Sequence, residues 1–180
     1  MKTPSDEELM LAVGGGDLNA FDQIVLRHQK SAWNIACRFL GDRTLAEDVS
    51  QEAFLRILDA AERYRPTAKF RTYLYGVVTH LCLDHARKKQ PAYVEDLSAV
   101  SGLSPSPPDA AASQERDEAV RKALNTLPPN QRMAVVLRYY EGLSGREIAA
   151  AMEVSPKAVE RLLARGRTAL AVLLNDFLEK

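Results

Sequence analysis

The chain has 180 residues, and its 24 basic and 24 acidic side chains leave no formal net charge. It contains no run of about 18 apolar residues that could span a bilayer, and its acidic, polar start (MKTPSDEELM) is unlike a secretory leader. Two cysteines, Cys37 and Cys82, are too few for a disulfide framework and fit a reducing cytoplasm. Zero net charge also argues against a strong free-standing binder of duplex DNA, whose affinity comes mostly from excess positive charge.

In chain order, Ser5 with Glu8 makes a capping box that opens a first helix, and Gly14-Gly15-Gly16 closes it. No GK[ST] follows the glycines, so they read as an inter-helix turn rather than a phosphate loop. Asp17 caps a long helix that Gly41 stops after Leu40. Thr44 with Glu47 suggests another capping box, opening a helix to about Tyr64 that Pro66 and Thr67 break. A further helix runs from about Lys69 to Lys88. Pro91–Glu115 is rich in Pro, Ser and Ala without a sustained period and reads as a linker. Beyond it, helices are expected near 115–126, 129–140, 144–151 and 156–175. Alternating strand patterns are absent. The expected fold is all-α, with two small helical domains (1–89 and 116–180) joined by a flexible linker (90–115).

The end of the chain is the most informative stretch. Ser144 with Glu147 opens a short helix, and Ser155-Pro156 opens another after Met152-Glu153-Val154. This is the spacing of a helix-turn-helix. Val159, Leu162, Leu163, Gly166 and Leu170 recur at helical spacing and face inward. Lys157, Arg161 and Arg165 sit at i, i+4 and i+8 on one face. A cationic row on the second helix suits a major groove, because Arg offers paired donors to base edges and phosphates.

Charge is unevenly spread. Residues 42–62 hold six acids and two bases, net −4; residues 63–89 hold seven bases and one acid, net +6; residues 155–170 hold four bases and one acid, net +3. Two basic surfaces far apart in sequence, with an acidic one beside the first, point to two nucleic-acid contacts and a different partner on the acidic face. On the helix from Thr44, Leu45, Ala46, Val49, Ala53, Ile57 and Ala60 cluster together. Opposite them lie Asp48, Gln51, Glu52, Leu55, Asp59 and Glu62. Leu55, ringed by acids, fits an apolar docking anchor with a charged rim as well as it fits an ordinary exposed leucine. The stretch Tyr64–Arg71 mixes rings and cations, as single-stranded nucleic acid requires, although Phe70 and Tyr75 taken singly read as core.

The run LAEDVSQEAFLRILDAAERYRPTAKFRTYLYGVVTHLCLDHARKK resembles the promoter-melting domain of bacterial sigma factors, especially the extracytoplasmic-function type. LNTLPPNQRMAVVLRYYEGLSGREIAAAMEVSPKAVERLLARGRTAL is similar to their C-terminal promoter-reading domain. Together the likeness covers about 6–89 and 116–174. It implies a transcription initiation factor that docks on core RNA polymerase through Asp48, Gln51, Glu52, Leu55 and Asp59. It implies capture of the melted minus-ten strand by Arg65, Lys69, Phe70, Arg71, Tyr73, His80 and Arg87, with an unstacked base held near Lys69–Tyr73. Lys157, Glu160, Arg161, Ala164, Arg165 and Arg167 would read duplex DNA at the minus-thirty-five element, and the linker would thread toward the polymerase active-site channel. The likeness also implies a cytoplasmic protein with an anti-sigma partner, one that could hold it at the membrane, and no cofactor, metal, small-molecule substrate or membrane insertion. The chain departs from the family pattern at Gly76, where Arg is common, at His80, where Asn is common, and at Glu160, where a basic or small residue is common. Glu160 can accept from cytosine N4 or pair with Arg161 or Arg165.

Two other classes compete. His80, Cys82, Asp84 and His85 invite a metal or nucleophile reading, but His80 and Cys82 lie about 200° apart on a helix, so one ion could not use the set. A stand-alone helix-turn-helix regulator explains the C-terminal half and leaves the basic, aromatic face of the first half without a role.

Overall fold

The structure is a computed structural model that describes residues 3–88 and 108–178, with side chains described for 3–88 and 117–175. Among the described residues all regular structure is helical. The first half forms α1 (Asp6–Gly14), α2 (Leu18–Leu40), α3 (Arg43–Ala60) and α4 (Phe70–Lys88), with one 3-10 turn at Ala61–Arg63. The second half forms α5 (Pro108–Thr126), α6 (Pro129–Tyr139), α7 (Gly145–Met152) and α8 (Pro156–Leu178).

Local chemistry sets most of the helix starts. Ser5 and Glu8 make the reciprocal capping box, and Ser144 and Glu147 make a second one. Asp17 accepts from the Asn19 and Ala20 amides at 2.9 and 3.2 Å. Ser155 accepts from the Ala158 amide at 3.2 Å, just before Pro156 begins α8. Two starts differ from expectation. Asp42, not Thr44, caps α3, accepting from the Leu45 amide at 3.0 Å. The carboxylate follows directly on Gly41, whose left-handed backbone (φ 69°) ends α2, and Thr44 falls inside the first turn. α5 begins at Pro108, so Pro108–Glu115 is helical rather than linker. Proline is free at a first helical position and three alanines follow Asp109, all favouring helix. The rest of the expected linker lies outside the described residues.

α2 is the spine of the first bundle and packs against α1, α3 and α4. Met10, Ile24, Ile35, Phe39, Ile57, Phe70 and Leu74 are fully buried there. The end of α1 comes so near the 3-10 turn that a Cβ on Gly14 would stand 2.6 Å from the Ala61 carbonyl oxygen, which only glycine permits. In the second bundle α8 packs on α5, α6 and α7 around Met133, Leu137, Leu143 and Ile148. The bundles are not separate: α4 packs on α7, and α2 on α5 and α6, so one apolar cluster runs through both.

An ion cluster ties α1 to α2. Asp6 accepts from Arg27 at 2.8 Å and from His28 Nε2 at 2.7 Å. Burial pushes the Asp6 carboxyl up, but the Arg27 and His28 contacts outweigh it and hold it below its ordinary value. A carboxylate favoured in the folded state adds stability above its unfolded pKa, and that stability is lost as pH falls through the folded value. Asp6→Asn should lower stability by about 1–2 kcal/mol at pH 7. The gap to the parent should close below about pH 4; denaturant titrations at both pH values check this, and an equal loss in acid would refute it.

Candidate nucleic-acid interface

Three surfaces carry the residues singled out in the sequence. The first is on α3. Its buried side is Ala46, Val49, Ser50, Ala53, Phe54 and Ile57. Asp48, Gln51, Leu55 and Asp59 are exposed, Leu55 by 56%. Glu52 is half-buried and accepts from Arg56 Nε at 2.8 Å. Next to this face, α2 and α3 leave an open cleft of about 440 Å³ with Trp33, Val25 and Phe54 in its wall, and Lys30, Glu47 and Gln51 at its edge. Periodicity did not single out Phe54, because it sits where the apolar and acidic arcs of α3 meet.

The second surface surrounds the start of α4. Phe70 is fully buried, its ring 5.3 Å from His28, 6.3 Å from Tyr64 and 6.2 Å from Tyr73. Its amide, an orphan donor at the helix start, donates to Glu7 of α1 at 2.7 Å. Phe70 therefore does not offer a ring to a base, which corrects its place in the expected strand-binding set. It is the floor on which Tyr64 and Tyr73 rest, their own rings 5.4 Å apart. Burial raises the Tyr73 hydroxyl above its ordinary pKa, with Arg63 only partly offsetting it, so this half-buried ring stays neutral. Around it stand Arg65, which donates to the Tyr64 carbonyl at 2.9 Å, and Lys69, whose side chain is 76% exposed. Arg71 lies 5.7 Å from the Tyr75 ring, and Arg87 pairs with Asp84 at 3.1 Å.

α4 is buried around most of its circumference. Thr72, Gly76, Thr79 and Leu83 are buried as well as Tyr75 and the apolar Phe70, Leu74, Val78, Leu81 and Cys82. The second bundle accounts for part of this. A Cβ on Gly76 would sit 3.5 Å from the Ala151 carbonyl oxygen and 3.6 Å from its Cα, ordinary contact distances, so α7 lies directly over this position. Tyr75 donates to Glu141 at 2.8 Å. Burial, with that carboxylate against it, pushes the Tyr75 hydroxyl up to about 12, so it stays a donor. Lys69 faces Glu147 at 3.8 Å, and His80 faces Glu153 at 3.5 Å. A cleft of about 360 Å³ remains between the bundles, with Tyr73, Thr72 and Arg65 on one side and Ala150 and Glu153 on the other. Cys82 is buried and its thiol is pushed up to about 12, which removes the nucleophile from any catalytic reading of this helix at neutral pH.

The third surface is α8. At 100° per residue Lys157, Glu160, Arg161, Ala164, Arg165 and Arg167 fall within an arc of about 160°. All six are exposed, and Val159, Leu163 and Gly166 are buried on the opposite side. Among the described residues no ion pair holds any of the four cations, and Glu160 pairs with neither Arg161 nor Arg165. The turn before α8 is tight: Glu153 takes the left-handed conformation (φ 54°) and its amide donates back to α7. An exposed cationic helix, presented by a preceding helix and a short turn, has the shape that enters a major groove.

Residues 24–92 match the family model described as sigma-70 region 2, and residues 117–170 match sigma-70, region 4. The ECF RNA polymerase sigma factor SigW of Bacillus subtilis is 33% identical over 172 residues, covering 89% of this chain and 92% of that protein. The chain belongs to the extracytoplasmic-function sigma factors. The RNA polymerase sigma-H factor of Pseudomonas aeruginosa is 31% identical, covering 97% of this chain and 96% of its own. Among solved structures, CnrH in complex with the cytosolic domain of CnrY matches with a TM-score of 0.75 at 27% identity, covering 96% of this chain and 99% of that one. RpoE in complex with the anti-sigma factor NepR from Bartonella quintana shares the fold, with a TM-score of 0.68 at 19% identity, covering 86% of this chain and 96% of that one. As a sigma factor this protein is a transcription initiation factor. It binds core RNA polymerase, directs it to specific promoters and aids promoter melting. The stand-alone regulator is not favoured, because the first half has a family match of its own. Among the described residues no helix is long and apolar enough to cross a membrane.

Proposed function

We propose that the work is divided among the three surfaces by domain. Residues 1–89 dock on core polymerase and hold the melted minus-ten strand, residues 116–180 read the minus-thirty-five duplex, and residues 90–115 connect them. The observation that carries this reading is the exposed face of α8: six residues with the chemistry of base and phosphate recognition lie on one side of a helix anchored from the other. Arg161 and Arg165 are the bidentate readers, Lys157 and Arg167 hold phosphates, and Glu160, unpaired with either arginine, accepts from cytosine. Arg165→Ala should weaken recognition of a promoter duplex by the holoenzyme by about 1–3 kcal/mol. Competition between promoters altered at single minus-thirty-five positions checks this, and unchanged selectivity would remove Arg165 from the reading set.

The acidic face of α3 is the polymerase dock. Leu55 is the anchor, Asp48, Gln51, Glu52 and Asp59 form the rim, and water has free access to the leucine only in the unbound chain. Leu55→Asp should weaken holoenzyme assembly by about 2 kcal/mol or more, the loss expected of a central interface residue. The fold should survive, because the residue is more than half exposed. Fluorescence titration with core polymerase checks it, and normal assembly by the variant would rule the face out. On α4 the strand runs past Lys69, Arg71, Tyr73 and His80, with Arg65 and Arg87 at either end and Phe70 beneath.

The protein performs no covalent chemistry and needs no cofactor. It acts in the cytoplasm. We read an anti-sigma protein among its partners; CnrH, whose structure covers 96% of this chain, is in complex with another protein, the cytosolic domain of CnrY.

A further inference from the structure

We propose that α1 is a positioning element for strand capture: it holds both ends of the connection between α3 and α4, Gly14 at one end and Glu7 at the other. The inference rests on the reading of α4 as the minus-ten surface. The connection carries Arg65 and Lys69 and leads into Tyr73, and it has little shape of its own. Residues 65–69 are all exposed. Among the described residues, the Thr67 amide, donating to the Arg65 carbonyl at 2.8 Å, makes the only backbone hydrogen bond within residues 64–69. A segment with so few ties takes its course from its end points.

Both end points rest on α1. At the first, α1 packs on the 3-10 turn with no side chain between the backbones: a Cβ on Gly14 would meet the Ala61 carbonyl oxygen at 2.6 Å and the Glu62 Cα at 3.5 Å. At the second, Glu7 Oε1 accepts from the Phe70 amide at 2.7 Å. Glu7 and Gly14 lie on one face of the same helix, about two turns or 10 Å apart, so α1 acts as a spacer of fixed length. The spacer is itself anchored, because Asp6 binds Arg27 and His28 of α2. Tyr64 lies between the end points and is buried, its ring 5.4 Å from Tyr73. Burial, the Glu7 carboxylate, Tyr73 and Asp6 all raise its hydroxyl above the ordinary pKa, which sets this ring beside the acidic start of α1. A shift at either end therefore reaches Tyr73 through Phe70 and Tyr64. Glu7 acts on the strand through those rings and not by touching it.

The experiment follows holoenzyme on a promoter with 2-aminopurine in the minus-ten element, whose fluorescence rises as the base unstacks. Glu7→Ala should slow that rise by about tenfold, the effect of orphaning an amide bonded to a charged group. Glu7→Gln keeps an oxygen for the Phe70 amide and should stay within about twofold of the parent. Gly14→Ala leaves Glu7 in place, disturbs the other end and should slow the rise by a similar factor. Ile35→Val trims a fully buried side chain of α2 about two turns from His28. It lowers stability without disturbing the connection and should leave the rate unchanged. None of the four should alter core affinity or minus-thirty-five selectivity. With Tyr73→Ala already present, adding Glu7→Ala should slow the rise no further, because one residue acts through the other. A parent-like rate for Glu7→Ala or Gly14→Ala, equal slowing by Ile35→Val, a matching loss of core affinity, or additive losses in the double variant would each overturn the inference. Failure of the underlying reading looks different: Tyr73→Ala alone would then leave the rise unchanged.

Discussion

Phe70→Ala should lower the stability of the chain by about 3–5 kcal/mol, the range for removing a fully buried phenyl ring. The side chain has no exposure and meets His28, Tyr64 and Tyr73 at ring distance, so little can collapse into the space. The loss would be about half the stability of an ordinary domain. Urea unfolding followed by circular dichroism measures it. Phe70→Leu, which keeps most of the volume, should lose much less. A loss under about 1 kcal/mol for the alanine variant would mean that the ring is at the surface after all, and it would return Phe70 to the set that stacks on the strand.

Arg132→Ala should cost about 3 kcal/mol by the same measurement. The guanidinium donates to Asn125 O at 2.6 Å, Leu127 O at 3.2 Å and Phe39 O at 2.8 Å. These carbonyls lie at or just beyond the C-terminal ends of α5 and α2, where helices leave their acceptors unpaired and carry partial negative charge. One cation therefore finishes two helices. It also lies 5.3 Å from the Phe39 ring. Burial lowers its pKa from the ordinary arginine value, and the surrounding oxygens are what make a buried charge tolerable. Arg132→Lys should recover only part of the loss, because an ammonium cannot reproduce the planar fork across three acceptors. Full recovery by lysine would reduce the site to simple charge.

The parts of the fold legible in the sequence were those written locally. Ser5 with Glu8, Asp17 with Gly41, Ser144 with Glu147, and Ser155-Pro156 each mark a helix end within four residues of the boundary. The inward stripe of α8 was legible for the same reason. What escaped depends on residues far apart. Nothing near Glu7 announces that it satisfies the Phe70 amide 63 positions on, and nothing near Arg132 announces Phe39. The face of α4 that carries Gly76 and His80 read as available because its cover, α7, comes from the other end of the chain. Phe70 was open to two readings, since an aromatic flanked by Lys69 and Arg71 fits both a core and a stacking platform. Pro108 was lost in a proline-rich stretch because proline both breaks helices and begins them.

The N-terminal segment has a bearing on how this protein can be dissected. The likeness to sigma-70 region 2 starts at residue 24, well after α1. Yet α1 supplies the carboxylate at the head of α4, the aspartate that binds Arg27 and His28, and the buried Leu9, Met10 and Val13. The unit that folds cooperatively is thus larger than the unit that sequence kinship outlines. A fragment trimmed at residue 24 would keep every side chain proposed to touch DNA and lose the brace that aims them.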